Sequence, residues 1–138
     1  MKRIISLLLI TTLLFALTTP ASAAVIEPIE PCFSYIYSTA ATFRIDESTG
    51  IAYCYARCSA ENGVTIRING ALQQYTNGSW SPVTSWTTSG TTLVLLDKQR
   101  AVYSGYNYRF IARFYIFDSD GNILESDYII RTYNYGAT

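Results

Sequence analysis

The sequence predicts an all-β domain, built as an antiparallel sandwich of two sheets with about seven strands. From Cys32 onward, apolar residues recur with a period of two rather than 3.6. Turn-forming residues interrupt this alternation about every 8–15 residues. The twelve Tyr, six Phe and two Trp also favour strands. No window after residue 23 has a helical pattern, and strands at this spacing typically pack as two sheets.

The first three predicted strands are residues 33–45, 51–60 and 64–75, separated by turn-forming segments at 46–50 and 61–63. The first strand is long, and we expect a break near Ala40. One side of each strand is apolar or small. These positions are Tyr35, Tyr37, Thr39, Ala41, Phe43 and Ile45, then Ala52, Cys54, Ala56 and Cys58, then Val64, Ile66, Ile68 and Leu72.

Asn77-Gly78 predicts a tight hairpin after the third strand, because a type I′ turn needs positive φ at both central residues. The fourth strand, residues 80–88, contains Pro82. Proline cannot donate to a ladder, so this strand is predicted at a sheet edge. Residues 87–92 are predicted to form a small polar loop.

The last three predicted strands are residues 93–98, 106–117 and 123–132, with a hairpin turn at residues 118–122. Arg109 and Arg113 alternate with apolar residues in the sixth strand, which fixes its register. The predicted inner face carries Ile66, Ile68, Leu72, Phe110, Ala112 and Phe114.

Residues 1–23 have the order of a secretory signal peptide. A positive start (Lys2 and Arg3) precedes the uncharged run 4–17, and Ala21-Ser22-Ala23 is a small-x-small cleavage site. The run is shorter than the roughly 20 residues that span a bilayer. We therefore expect a secreted protein that begins near Ala24, with an extended leader at 24–31, a β-sandwich domain at 32–138 and no membrane insertion.

Charge and composition exclude several classes of function. Without residues 1–23, eight basic residues face ten acidic ones, and the net charge is −2. A chain with no basic cluster in its sequence argues against nucleic-acid and anionic-membrane partners. The chain has no His, which excludes Ser-His-Asp and Cys-His catalysis. We expect no enzyme activity, no cofactor and no metal site.

Three cysteines are present, and a disulfide is the default outside the cytoplasm. Cys54 and Cys58 would lie about 13 Å apart in one extended strand, beyond bridging distance. The favoured pair is Cys32–Cys58, because the hairpin register brings these two closest, with Cys54 as a small core residue. A Cys32–Cys54 pair and the absence of any disulfide remain alternatives.

Acidic residues offer two further kinds of site. The segment 118–122 resembles part of a calcium loop, but its first ligand position would fall on Ile116, so we favour a hairpin turn without a metal. Paired carboxylates can hydrolyse glycosides. The pairs present are predicted to be solvated acids in or beside turns: Asp46/Glu47, Asp118/Asp120 and Glu125/Asp127.

Trp80 and Trp86 share a parity on the predicted edge strand, and Tyr75 is close by. On an exposed face they would form an aromatic platform that binds a glycan or an extracellular protein. The alternative is that one or both Trp pack in the core. The sequence therefore predicts a secreted, non-enzymatic binding domain, or alternatively a structural component that assembles through its sheet edges.

The segment Gly105-Tyr106-Asn107-Tyr108-Arg109-Phe110-Ile111-Ala112 resembles the sixth strand of immunoglobulin-like and fibronectin-like domains. In those domains a Tyr bonds back to the backbone at a corner, a role open to Tyr106 or Tyr108. With Ala52-Tyr53-Cys54 and the Trp80–Trp86 spacing, the chain also resembles small secreted β-sandwich proteins of Gram-positive, spore-forming bacteria. That resemblance implies the fold and no activity, and the sixth strand lacks the antibody cysteine.

Overall fold

The structure, a computed structural model, describes residues 33–137. These lie in one compact unit, Cys32–Thr138. The predicted signal peptide and leader lie outside the described residues. Within 33–137 the secondary structure consists of seven strands: β1 (Ile36–Asp46), β2 (Ile51–Ala60), β3 (Thr65–Thr76), β4 (Ser79–Gly90), β5 (Leu93–Ala101), β6 (Tyr106–Phe117) and β7 (Ile123–Tyr135).

The strands form two antiparallel sheets, which confirms the predicted sandwich. The small sheet has the order β1-β2-β5, and the large sheet has the order β4-β3-β6-β7. In a constant-type immunoglobulin sandwich the fourth strand extends the small sheet beside the fifth, whereas here β4 pairs with β3. β4 lies at an edge, as Pro82 predicts. Asn77 and Gly78 have φ values of 52° and 80°, as the predicted type I′ turn requires.

Several predicted boundaries need correction. β2 and β6 have the predicted bounds, but β4 runs on to Gly90, so most of the predicted loop at 87–92 is strand. β5 and β7 each extend three residues further than predicted. The irregularity in β1 lies between Ile36 and Ser38, not near Ala40. The bulge turns Tyr37 outward, where it is 71% exposed, while Ile36 is buried.

The core joins small residues from one sheet to large residues from the other. The inward side chains of β2 leave room for those of β3 and β6. Gly70 of β3 lets the large side chains approach closely, because a Cβ there would lie 2.9 Å from the Phe110 ring and 3.1 Å from a Leu96 methyl. The predicted inner face is confirmed: Ile66, Ile68, Leu72, Phe110, Ala112 and Phe114 have no exposed surface, nor do Ala52, Cys54, Ala56 and Cys58.

Tyr108 makes the corner contact expected of an immunoglobulin-like sixth strand. Its hydroxyl donates to the Tyr103 carbonyl oxygen at 2.8 Å and accepts from the Tyr103 amide at 3.1 Å. Burial raises the pKa of the Tyr108 phenol. Tyr106, the other candidate, is 38% exposed. Tyr108 therefore fixes the connection from β5 to β6.

Charged side chains of β7 bind β1 and the two residues before it, and these contacts join the two sheets along one side. The Glu125 carboxylate accepts from the Ser34, Tyr35 and Ile36 amides at 2.9–3.1 Å. Asp127 accepts from the Thr39 hydroxyl at 2.9 Å. The prediction that Glu125 and Asp127 are solvated turn acids is wrong, because both lie inside β7 at positions that face the β1 edge. Arg131 also donates to the Ala41 carbonyl at 3.1 Å.

Cys54 and Cys58 are fully buried and carry free thiols in the described structure. No disulfide joins residues within 33–137, and the predicted partner Cys32 lies outside the described residues. Burial raises the pKa of Cys54 to about 12 and that of Cys58 to about 11. Cys54 occupies the small core position predicted for it.

Candidate functional site

A bulge in β4 separates the two tryptophans. Leu72 lies opposite Thr84 and Gln73 lies opposite Pro82, so Val83 is an extra residue on the β4 side. An extra residue reverses the alternation of side chains along a strand. Trp80 and Trp86 therefore lie on opposite faces, and the expectation that they share one face is wrong.

Trp86 lies on the inner face. It is directly opposite Gly70 and packs against the hydrophobic core, half-buried. Trp86 therefore stabilises the fold and is not part of a surface platform.

Trp80 lies on the outer face with the predicted Tyr75 directly across from it. Their rings are 5.2 Å apart between centroids at an interplanar angle of 60°. The guanidinium carbon of Arg109 lies 4.4 Å from the centre of the Trp80 ring. Arg109 Nε donates to Gln73 Oε1 at 2.7 Å. We call Gln73, Tyr75, Trp80 and Arg109 the Trp80 cluster.

The Trp80 cluster fixes the ring in place before any ligand binds. Arg109 contacts one ring face by a cation–π interaction, and Gln73 holds the guanidinium in that position. Tyr75 contacts the ring edge-on. A ring held in this way loses little conformational freedom when it binds a partner.

A groove of about 310 Å³ opens beside the Trp80 cluster. It combines aromatic surface with amide and hydroxyl groups. Asn107 of β6 lies opposite Asn134 of β7, and the Asn134 amide is bonded to the Ala137 backbone. Arg109 lies opposite Thr132. The residues that line the groove are Tyr75, Trp80, Asn107, Thr132, Tyr133 and Asn134.

Sequence reasoning found Trp80 and Tyr75 but missed the residues that other strands bring to them. Asn107, Arg109 and Thr132 are 27 or more positions further along the chain than Trp80. The only available signal was the outward parity of Asn107 and Arg109 in the sixth strand. Their proximity to Trp80 depends on β3 lying between β4 and β6.

The segment 118–122 is a hairpin turn that is closed by its own first residue. Asp118 Oδ1 accepts from the amides of Asp120 at 2.9 Å and Asn122 at 2.8 Å. Asp118 Oδ2 accepts from the Asn122 side chain at 2.9 Å, and these bonds lower the pKa of Asp118. The carboxylate is used inside the turn, as an Asx turn requires. Residues 33–137 contain no group of three or more potential metal ligands.

Within the described part of the chain, no helix is long and apolar enough to cross a membrane. Neither a protein-family model nor a curated protein sequence matches the chain. The Trp80 cluster and its groove are therefore the basis for inferring a function.

Proposed function

We propose that the protein is a secreted, non-enzymatic binding domain that recognises an extracellular glycan in the groove beside Trp80. The observation that carries this proposal is that neighbouring side chains fix the Trp80 ring beside an open groove lined with amide and hydroxyl groups. The predicted signal peptide supports the location outside the cell.

The chemistry of the groove suits a sugar. A pyranose ring has an apolar face of C–H groups that stacks on an aromatic ring, and hydroxyls at its rim that need hydrogen-bond partners. Trp80 and Tyr75 offer the aromatic surface. Asn107 and Thr132 offer side chains that both donate and accept.

The alternative function is a structural component that assembles through sheet edges, and the edges of this sandwich are protected against such pairing. β4 has Pro82 and a bulge. The inward positions of the exposed half of β5 hold Lys98 and Arg100, opposite Cys54 and Ala52. Charged inward residues, bulges and proline are the devices that keep edge strands from pairing with other chains. These features favour the binding domain over the assembled component.

An array of neutral and acidic glycans, probed with the purified protein, tests the proposal. Trp80→Ala should weaken binding at least tenfold, because it removes the stacking surface, while the thermal unfolding midpoint changes little. Tyr37→Ala is the matched control, since Tyr37 is an exposed aromatic residue on the small sheet. Equal binding by both variants would overturn the assignment of the site. Self-assembly into fibres without any glycan binding would support the structural alternative.

A further inference from the structure

The outer face of the large sheet has an unusual distribution of charge. Its outward positions follow from the register of β3, β4, β6 and β7. Three of them are arginines, and within these four described strands none is Asp or Glu. The outward residues of β3 and β6 are Thr65, Arg67, Asn69, Ala71, Gln73, Tyr75, Asn107, Arg109, Ile111, Arg113, Tyr115 and Phe117.

The positive face is notable because the whole chain has ten basic and ten acidic residues. The acidic residues in the described structure lie elsewhere. Glu125 and Asp127 bind the β1 edge, and Asp118 closes its own turn. The outer face of the small sheet, in contrast, pairs both signs, with Arg57 and Asp97 on neighbouring strands. Only the large sheet presents arginine without acidic neighbours on the same face.

Two of the three arginines lie against aromatic rings. Arg109 lies over Trp80, and the guanidinium carbon of Arg67 is 4.6 Å from the centre of the Phe117 ring. The third, Arg113, is exposed and lies directly opposite Tyr128, which is 66% exposed. A guanidinium held by a cation–π contact loses little entropy when its planar fork of N–H groups binds a partner.

We propose that this face binds an acidic polysaccharide whose sugars carry carboxylates. The inference rests on the proposed function and names its substrate class. The guanidinium fork matches the two oxygens of a carboxylate. A polysaccharide that stacks one ring at Trp80 and continues along β6 would pass Arg113 with its neighbouring sugars.

The positions of the arginines fit an extended chain better than a single sugar. Arg109 and Arg113 are four residues apart on β6, about 13 Å in an extended strand. Arg67 lies on β3 opposite Tyr115, further along the same direction. The three positive charges thus extend over much of the sheet length. Three arginines can neutralise only about three phosphates, so they would release few counterions, and counterion release is the main source of affinity for nucleic acid.

Binding to polygalacturonate and to its methyl-esterified form tests the inference, because the two share a backbone and differ in charge. The protein should bind polygalacturonate at least tenfold more tightly. Arg67→Gln/Arg113→Gln should remove most of that difference and leave binding to the ester unchanged. Arg57→Gln, on the small sheet, should change neither. Raising the NaCl concentration from about 0.1 M to about 0.5 M should weaken binding to polygalacturonate alone.

The outcomes separate the inference from the proposed function. If the protein binds the two polymers with equal affinity and Trp80→Ala loses that binding, glycan binding is retained. The inference that the glycan is acidic is then overturned. Binding of neither polymer, with a neutral glycan bound on the array, would do the same. Binding of single-stranded DNA or polyphosphate as tightly as polygalacturonate would overturn the inference in favour of polyanion binding without sugar recognition. Binding to no glycan at all would overturn both proposals.

Discussion

The two faces of the large sheet are made by alternate residues of the same strands, yet they differ in almost every property. Phe110 has no exposed surface and packs against the small sheet, while its neighbour Arg109 lies on the outer face over Trp80. The inner face is apolar. The outer face combines arginines, aromatic rings and amides. The difference indicates that one face stabilises the sandwich and leaves the other available for a partner.

The bulge at Val83 shows how sharply the two faces are divided. Trp80 and Trp86 are the only two tryptophans in the chain, and they are six positions apart on one strand. One inserted residue places Trp86 in the core and Trp80 on the outer face. Two residues of the same type and parity therefore have different roles, and substitutions can separate those roles.

The largest expected difference between the faces is at Phe110 and Arg109. Phe110→Ala should lower the free energy of unfolding by about 3–5 kcal/mol, because it leaves a cavity between the sheets. Arg109→Ala should cost under about 1 kcal/mol, since it removes one cation–π contact and one hydrogen bond at the surface. Urea denaturation of the two variants measures both values. Comparable losses would show that the division between the faces is wrong.

The second difference is at the two tryptophans. Trp86→Ala should cost about 2–3 kcal/mol, somewhat less than a fully buried Trp, because Trp86 is half-buried against the core. Trp80→Ala should cost about 1 kcal/mol or less. Thermal and urea unfolding of the two variants would show which one loses more stability. A larger loss at Trp80 would mean that the bulge does not divide β4 at Val83.

The third difference is at two tyrosines near the start of β6. Tyr108→Phe keeps the ring but leaves the Tyr103 amide and carbonyl without their buried partner. The expected cost is about 1–3 kcal/mol. Tyr106→Phe is the matched control and should cost a few tenths of a kcal/mol. If the two variants unfold at the same urea concentration, the corner contact contributes nothing to stability.

The smallest effect concerns pH and the small sheet. Burial raises the pKa of Cys54 from 9.0 to about 12, so the folded protein keeps the neutral thiol while the unfolded chain ionises. The stability from Cys54 is present below about pH 9 and is lost as pH rises towards about 12. Urea unfolding at about pH 8 and about pH 10.5 measures the effect. The free energy of unfolding should fall more between these two pH values in the native protein than in Cys54→Ala. An equal fall in the two proteins would show that the Cys54 thiol is in contact with solvent.

Local sequence rules were sufficient for the fold and insufficient for the site. The alternation of Phe110, Ala112 and Phe114 with Arg109 and Arg113 fixed the register of β6, because a slip by one residue would bury two charges. Asn77-Gly78 located its hairpin for a similarly local reason.

The bulge at Val83 has no comparable signal, since it depends on how β4 pairs with β3. The same holds for the contact of Arg109 with Trp80, which joins strands that are distant in sequence. Glu125 and Asp127 were misassigned because nothing local shows that β7 runs beside β1. Residues of the site are thus predictable one by one, but their grouping depends on sheet order.

Fluorescence from Trp80 alone tests the central claim, that ligand binds the outer face of the large sheet. Trp86→Phe leaves Trp80 as the only tryptophan. Polygalacturonate should change the Trp80 emission in a saturable way, with the same dissociation constant that calorimetry gives for the native protein. If calorimetry shows binding while the Trp80 emission stays constant through saturation, the ligand binds elsewhere and the central claim is contradicted.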